Sequence, residues 1–302
     1  MSASSVILHA IGPAGEITPA FPDGRNRILF GDCLPAMRAL PDETFDVLYL
    51  DPPFFTGKHR HTSHEAPDAL PSYADDWADG IAGYLDWLAE RLMEMRRLLK
   101  PNGVLLVHLD WHAVHYVKVL LDRLFGMRQF QNEFIWYYSG GGASKRRFAR
   151  KHDSILFYTK SAAWKFYADR IRDPYKWTDG QPRADGSARD YTRGKLPDDV
   201  WEHHALLPWA EESLGYPTQK PEALLTRLLL PFTDPGDAVG DFFSGCGTTA
   251  AVAQRLGCRW MTADVSRSAV CLTAERLAEI LAPGCLAFTA ARARARARER
   301  YT

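Results

Sequence analysis

The sequence predicts a doubly wound α/β fold built on a mostly parallel sheet. Three observations carry that expectation. Short apolar runs at 45–51, 104–109, 238–243 and 259–265 alternate with segments whose apolar residues recur at helical spacing. The runs are nearly continuous rather than alternating, as in strands covered on both faces. Two of them end in residues suited to chemistry: Asp51-Pro52-Pro53-Phe54, and Asp241-Phe242-Phe243-Ser244-Gly245-Cys246-Gly247.

Taken in order, residues 1–25 are rich in Gly and Pro and are expected to form a loose N-terminal arm. Residues 26–30 form a strand ending at Gly31-Asp32, residues 34–40 a short helix, and Pro41-Asp42 a turn. The strand at 45–51 follows. Residues 55–76 have no periodicity and read as a long loop, which in a compact domain is usually functional or disordered. Tyr84, Leu88, Leu92, Met95 and Leu99 mark a helix over 83–99 that Lys100-Pro101-Asn102-Gly103 stops. A strand at 104–109, a helix at 113–125 and strands at 129–138 and 154–158 come next. Residues 161–214 lose this regularity, are rich in Trp, Tyr, Arg, Asp, Gly and Pro, and read as an insertion outside the main sheet. Trp164, Trp177 and Trp201 within it read as core anchors. Regularity returns with helix 221–231, strand 238–243, helix 248–256, strand 259–265 and helix 268–281.

Bulk properties narrow the class. The 302 residues, 46% hydrophobic and 25% charged, can bury a core without disulfide staples. The five cysteines are scattered without a CxxC pair, which fits a reducing compartment. The start of the chain has no basic n-region and no long apolar run, so neither a signal peptide nor a membrane span is expected. A formal net charge of zero argues against a purely electrostatic nucleic-acid binder. The charge is nevertheless clustered, at Lys145, Arg146, Arg147, Arg150 and Lys151, and again at alternate positions from Arg292 to Arg298 in a basic tail over 286–302. Either cluster could be a solvated face or a phosphate-binding surface.

The two motifs point to two ligands. An acid, two prolines and an aromatic ring suit a flat base bearing an exocyclic amine. The carboxylate accepts an N–H, a proline offers a carbonyl but no donor, and the ring of Phe54 can stack. Gly245 and Gly247 follow a strand and open a helix, where the backbone can turn tightly and approach a ligand. Asp264 ends the next strand, close to the roughly 20-residue spacing at which an acid meets ribose hydroxyls. The loop lacks a third glycine and a Walker lysine, and a GxG alone could be an ordinary tight βα turn; strand, helix and spaced acid together point to a nucleoside-cofactor site. His59, His61 and His64 could recruit a metal, but no fourth ligand is evident, so no metal is expected.

With these motifs in hand, the chain resembles the S-adenosylmethionine-dependent amino-methyltransferases of DNA, and within them the β group, in which the catalytic motif precedes the cofactor motif. Asp51-Pro52-Pro53-Phe54 matches the family's (D/N/S)PP(Y/F/W) motif, and 241–247 its DxFxGxG loop. Residues 26–34 match the segment before the catalytic strand, and Thr218-Gln219-Lys220-Pro221 matches its TQKP motif. Matching segments cover roughly two thirds of the chain. The family's first motif usually has Pro and Ala where this chain has Phe242 and Ser244, which implies altered pocket packing with the same cofactor. The resemblance implies a Rossmann-like methyltransferase fold in circularly permuted motif order. Residues 26–160 would be the catalytic half, 161–214 a target-recognition insertion and 215–285 the cofactor half.

Roles follow residue by residue. Asp241, Gly245 and Gly247 would shape the pocket for the methionine part of S-adenosylmethionine, Asp264 would hold the ribose, and Asp32 would sit near the adenine edge. Thr218 and Lys220 would close the pocket at its amino-acid end; the plainer reading of that motif is a helix start, with Thr218 near the N-cap. Cys33, Asp51, Phe243, Ser244, Thr248 and Val265 would complete the lining. Asp51 and the Pro52 carbonyl would accept the amine hydrogens, with Pro53 and Phe54 shaping the base site. Lys145, Arg146, Arg147, Arg150 and Lys151 would contact phosphates, and Arg183, Arg189 and Arg193 bases or phosphates. Double-stranded DNA is the implied partner, with the target base flipped out of the helix. A homodimer and a cognate restriction endonuclease remain open. The implied location is the bacterial or archaeal cytoplasm, at the nucleoid. Asp51 leans towards N6 of adenine, because N4-cytosine enzymes more often carry Ser there. Related Asn-Pro-Pro proteins act on RNA or on glutamine in proteins, and a non-catalytic DNA-binding module is a further alternative that the intact Asp51 argues against.

Overall fold

The computed structural model describes residues 6–10, 26–60, 73–138, 144–175, 187 and 191–281. The elements run β1 (Val6–Ala10), β2 (Asn26–Phe30), α1 (Cys33–Ala39), β3 (Phe45–Leu50), β4 (Lys58–Arg60), β5 (Tyr73–Asp75), α2 (Gly80–Leu98) and β6 (Leu99–Leu109). They continue with α3 (Val114–Phe125), β7 (Phe130–Tyr137), β8 (His152–Thr159), β9 (Val200–Glu202), α4 (Glu222–Leu229), β10 (Ala238–Asp241), α5 (Thr248–Arg255), β11 (Arg259–Asp264) and α6 (Arg267–Leu281). Nine strands form one sheet in the order β1-β2-β11-β10-β3-β6-β8-β7-β9. It is parallel from β1 to β6, β8 runs antiparallel to both β6 and β7, and β9 is parallel to β7. The doubly wound, mostly parallel sheet expected from the sequence is therefore present.

Pleating sorts the core onto two faces. In β3, Leu48 and Leu50 pack with α1, α2 and α3, whereas Val47 and Tyr49 pack with α4, α5 and α6. All six residues of β3 are buried, which is why it reads as one apolar run. Asn26, at the start of β2, ties the two halves of the chain together. Its Oδ1 accepts from the Trp260 N–H (2.9 Å) and its Nδ2 donates to Gln254 (3.1 Å).

Four expectations need correction. The stretch read as a loose arm contains β1, which pairs in parallel with β2 from Val6↔Asn26 to Ala10↔Phe30; its Val-Ile-Leu run is short and sits beside Gly/Pro-rich sequence that hides it. The 55–76 loop contains the antiparallel hairpin β4–β5, three residues per strand, too short to show a period. The 161–214 insertion does not lie wholly outside the sheet, because β9 extends it beside β7, and Trp136 Nε1 donates to the His203 carbonyl just beyond (2.9 Å). The helix read from residue 83 begins at Gly80, whose φ of +59° lets the chain turn in after Asp79. Of the insertion's tryptophans, Trp201 is partly buried against the core and Trp164 touches Phe157 edge-on while 37% exposed. Trp177, Arg183, Arg189, His61, His64 and the basic tail lie outside the described residues. Among the described residues, no helix is long and apolar enough to cross a membrane.

Candidate active site

Four acids stand at the carboxyl ends of four adjacent strands: Asp32 after β2, Asp264 ending β11, Asp241 ending β10 and Asp51 after β3. This is where open α/β sheets place ligands. A cleft of about 290 Å³ opens along this edge. Asp32, Cys33, Asp51, Thr218, Lys220, Asp241, Phe243, Ser244, Gly245, Thr248, Asp264 and Val265 all line it, together with Pro53. Gly247 does not. Its φ is +76°, and a Cβ there would meet Thr273 Cγ2 at 2.5 Å, so its role in this structure is to let α6 pack against the loop. Gly245, at φ +51°, is in the lining.

Burial dominates the electrostatics of the cleft. It pushes the Asp241 carboxyl up to about 7, with nearby Asp51 and Asp264 raising it further. The Thr249 hydroxyl and the Phe243 N–H (3.0 Å to Oδ1) pull the other way. Burial pushes Asp264 up to about 6 although it accepts the N–H groups of Gly245 and Ser266, both at 2.8 Å. Burial also drives the thiols of Cys33 and Cys246 up, to about 12 and about 11, so both are packing groups rather than nucleophiles. Ser244 Oγ is buried in the lining without a protein partner among the described residues. Buried carboxyls at the strand ends, and a buried hydroxyl without a partner, can pair with a ligand bearing a cationic group and hydroxyls.

A second, smaller space shares one wall with the cleft. A hollow of about 30 Å³ is lined by Asp51, Pro52, Phe54, Thr56, Asp75, Thr218 and Lys220. Asp51 thus borders both spaces. Lying two residues beyond Tyr49, it emerges on the α4–α6 side, where Lys220 leads into α4. Lys220 Nζ donates to Asp51 Oδ2 at 2.5 Å and lies 5.2 Å from the Phe54 ring centroid. Asp51 Oδ1 is buried and has no partner among the described residues. The ammonium read as a cofactor contact is therefore bonded to Asp51, although Lys220 also lines the cleft. Thr218 is not an N-cap: Pro221 occupies that position, and Thr218 is exposed at φ +63°.

Residues that motif reading passed over hold this loop in place. Asp75, almost fully buried, accepts from Phe55 N (2.9 Å), Thr56 N and Thr56 Oγ1 (both 2.7 Å) and Trp77 Nε1 (3.1 Å). Tyr84 donates to the Pro53 carbonyl at 2.8 Å, and among the described residues nothing donates to that of Pro52. Beneath Phe54 the His108 ring stacks at 6.0 Å, in a buried chain in which Tyr49 Oη and His108 Nδ1 are 2.8 Å apart and His108 Nε2 meets Asp153 at 3.2 Å. Tyr138 closes it on Asp153 (3.0 Å). On the cofactor side, buried Arg91 grips both oxygens of Asp32 (2.9 and 2.8 Å) under the Trp87 ring. Arg91 carried a signal: it falls within the apolar stripe of α2.

The basic cluster sits at the same edge. Lys145, Arg146, Arg147 and Arg150 are exposed and Lys151 is half-buried. Arg193, in contrast, pairs with Asp169. Among the described residues no cluster of His, Cys, Asp and Glu has the makings of a metal site.

A doubly wound sheet whose cleft meets an acid–proline–proline loop at a switch in strand order defines a methyltransferase-like α/β enzyme. The comparisons narrow this. Residues 45–275 match the N6/N4 methyltransferase family model, described as DNA methylase, and the chain belongs to that family. It is 30% identical over 252 residues to the type II methyltransferase M.HpaI of Haemophilus parainfluenzae, covering 83% of this chain and 74% of that one. It is 28% identical over 255 residues to the DNA adenine methyltransferase YhdJ of Escherichia coli K12, covering 83% and 82%. Among solved structures, the cytosine-N4-specific PvuII DNA methyltransferase superposes with a TM-score of 0.60 at 16% identity, covering 82% of this chain and 85% of that one. The M1.HpyAVI–SAM complex does so at 0.52 and 18%, covering 83% and 98%.

Proposed function

We propose that this DNA methylase transfers a methyl group from S-adenosylmethionine to N6 of a flipped adenine in duplex DNA. The observation that carries the reading is the unpartnered Oδ1 of Asp51 in the wall shared by the cleft and the hollow. Asp at this position, and the likeness to an adenine methyltransferase, favour adenine over cytosine.

The cofactor, when bound, supplies a methyl group activated on a sulfonium. Everything else falls to the chain. Asp241, Asp264 and Ser244 offer acceptors and a donor to its cationic and hydroxyl groups, and Arg91 fixes Asp32 at the neighbouring strand end. An exocyclic amine is a weak nucleophile because its lone pair is delocalised into the ring. Asp51 Oδ1 takes one amine hydrogen and the Pro52 carbonyl the other, which favours the tetrahedral nitrogen that frees the pair. Lys220 holds Oδ2, so the free oxygen has one orientation. Phe54 stacks on the base, and once the nitrogen carries the new methyl group, the N–H hydrogen-bonded to Asp51 Oδ1 is the proton it gives up, with Asp51 as the acceptor in place. A cytoplasmic location, a second copy and a cognate restriction endonuclease accompany this reading; likeness to type II methyltransferases supports the last.

The test is single-molecule sequencing of DNA from a methylation-free host expressing the chain. Modified adenine in one short motif is the expected result. N4-methylcytosine would move the target atom, and unmodified DNA from a host containing folded, cofactor-binding protein would overturn DNA as substrate.

Cofactor affinity should also depend on pH. Raised carboxyl values in the ligand-free protein mean that the contribution of Asp241 to stability is fully present below its unfolded value near 4. It is lost as pH rises through about 7. A cationic ligand reverses the preference by favouring the ionised acids. Binding below about pH 7 should therefore release protons, and affinity should rise several-fold from pH 5.5 to 7.5. Calorimetry in buffers of different ionisation enthalpy checks both, and a pH-independent affinity with no proton release would refute the assignment.

A further inference from the structure

Phe148 is 98% exposed, the most exposed of the large apolar side chains among the described residues. Nothing in the methyl-transfer chemistry uses it. It lies between Arg147 and Arg150 in a segment, 144–150, in which every residue is exposed. A lone exposed aromatic needs no explanation on an ordinary loop. This one is set among four arginines and lysines on the edge that carries the catalytic acid.

The placement follows from topology. β8 runs antiparallel to β6, with Ser154 opposite Leu109, so the connection from β7 into β8 emerges at the carboxyl end of β6. β6 is the immediate neighbour of β3, whose carboxyl end delivers Asp51. Two contacts fasten the segment there. Tyr138 N donates to the Lys151 carbonyl at 2.8 Å, and the Arg150 guanidinium lies 3.4 Å from the centroid of Trp111, two residues beyond β6. The apolar tip is thus presented from an anchored base, with Lys145, Arg146 and Arg147 around it.

Resting on the proposed duplex-DNA substrate, we infer that Phe148 is the wedge that enters the base stack and fills the space left by the flipped base. An apolar side chain inserted at a base step replaces stacking lost on extrusion, and flanking cations hold the phosphates on either side. Burial of so exposed a ring on DNA contributes favourably where it would contribute nothing in the free protein.

The test compares two duplexes containing the recognition site found by sequencing. In one the target base is paired; in the other it faces a mismatch and is already loosened. Phe148→Ala in the full chain is expected to lower kcat/KM on the paired duplex by between about ten- and a hundredfold, and on the mismatched duplex by less than about threefold. Phe148→Trp should retain activity, and its fluorescence should be quenched on binding. The cofactor-induced Tm shift should equal that of the native protein, since the ring packs on nothing. Equal loss on both duplexes, or native activity of Phe148→Ala on the paired one, overturns the wedge. A native protein that leaves DNA unmodified would instead overturn the proposed function, so the two failures are distinct.

Discussion

Asp51→Asn is expected to lower kcat by at least about a thousandfold while cofactor affinity stays within a few-fold of native. Asparagine keeps the shape of the side chain and an acceptor for Lys220, but loses the charge that draws on the amine hydrogen. The expectation rests on the division of labour between the two oxygens: Oδ2 is taken by Lys220 and only Oδ1 is free. Asp51→Ala should abolish transfer too, but it is the poorer test. It removes the carboxylate that neutralises a largely buried ammonium, which destabilises the fold as well as the chemistry. Single-turnover rates with radiolabelled cofactor, beside calorimetric cofactor binding, separate chemistry from folding. If Asp51→Asn turned over within tenfold of native, Asp51 would not be the acceptor.

Gly247→Ala should be the most damaging small change to the fold near the site. Two independent effects coincide: a left-handed φ of +76° that costs an L-residue about 1 kcal/mol, and a Cβ placed 2.5 Å from Thr273 Cγ2 and 2.7 Å from its Oγ1. Thr273 cannot simply turn away, because it is fully buried and its hydroxyl donates to the Gly245 carbonyl at 3.1 Å. The start of α5 must then move from α6. A total loss of about 3 kcal/mol is expected, read as a drop in Tm of several degrees and weaker cofactor binding. Adding Thr273→Ala should return part of the stability. A Gly247→Ala protein with native Tm would show that the loop tolerates the extra methyl.

What the sequence made legible was whatever carries a period or a motif. The strands β3, β6, β10 and β11 are continuous apolar runs because both faces are covered, and the acids at their ends followed from strand ends being where parallel sheets expose chemistry. Three things were out of reach. Asp75 lies in a stretch without periodicity, and its three side-chain hydrogen bonds to the loop after β3, from Phe55 and Thr56, are long-range facts with no local trace. The partner of Lys220 lies 169 residues away, so a motif match could place the lysine near the cofactor but not on Asp51. β9 is three residues of edge strand, only one of them partly buried, too little to rise above the irregular sequence around it. Arg91 and His108 were the missed opportunities. Each interrupts an apolar pattern with a buried polar group, and such groups are found with partners.

The strand order has a consequence for how the protein is made. β10 and β11 occupy the centre of the sheet between β2 and β3, and Val239 pairs with Val47 across 192 residues of chain. A nascent chain leaving the ribosome carries β2 and β3 early but cannot join them, because the strands that belong between them are among the last to be synthesised. Slow closure of such distant contacts follows from the entropy of the intervening loop. Asp51 and the other acids that line the cleft are therefore brought to one edge only when translation is nearly complete. Truncated products begin with a catalytic motif and no cleft beside it, and a cell that produces them gains fragments without the means to modify its chromosome.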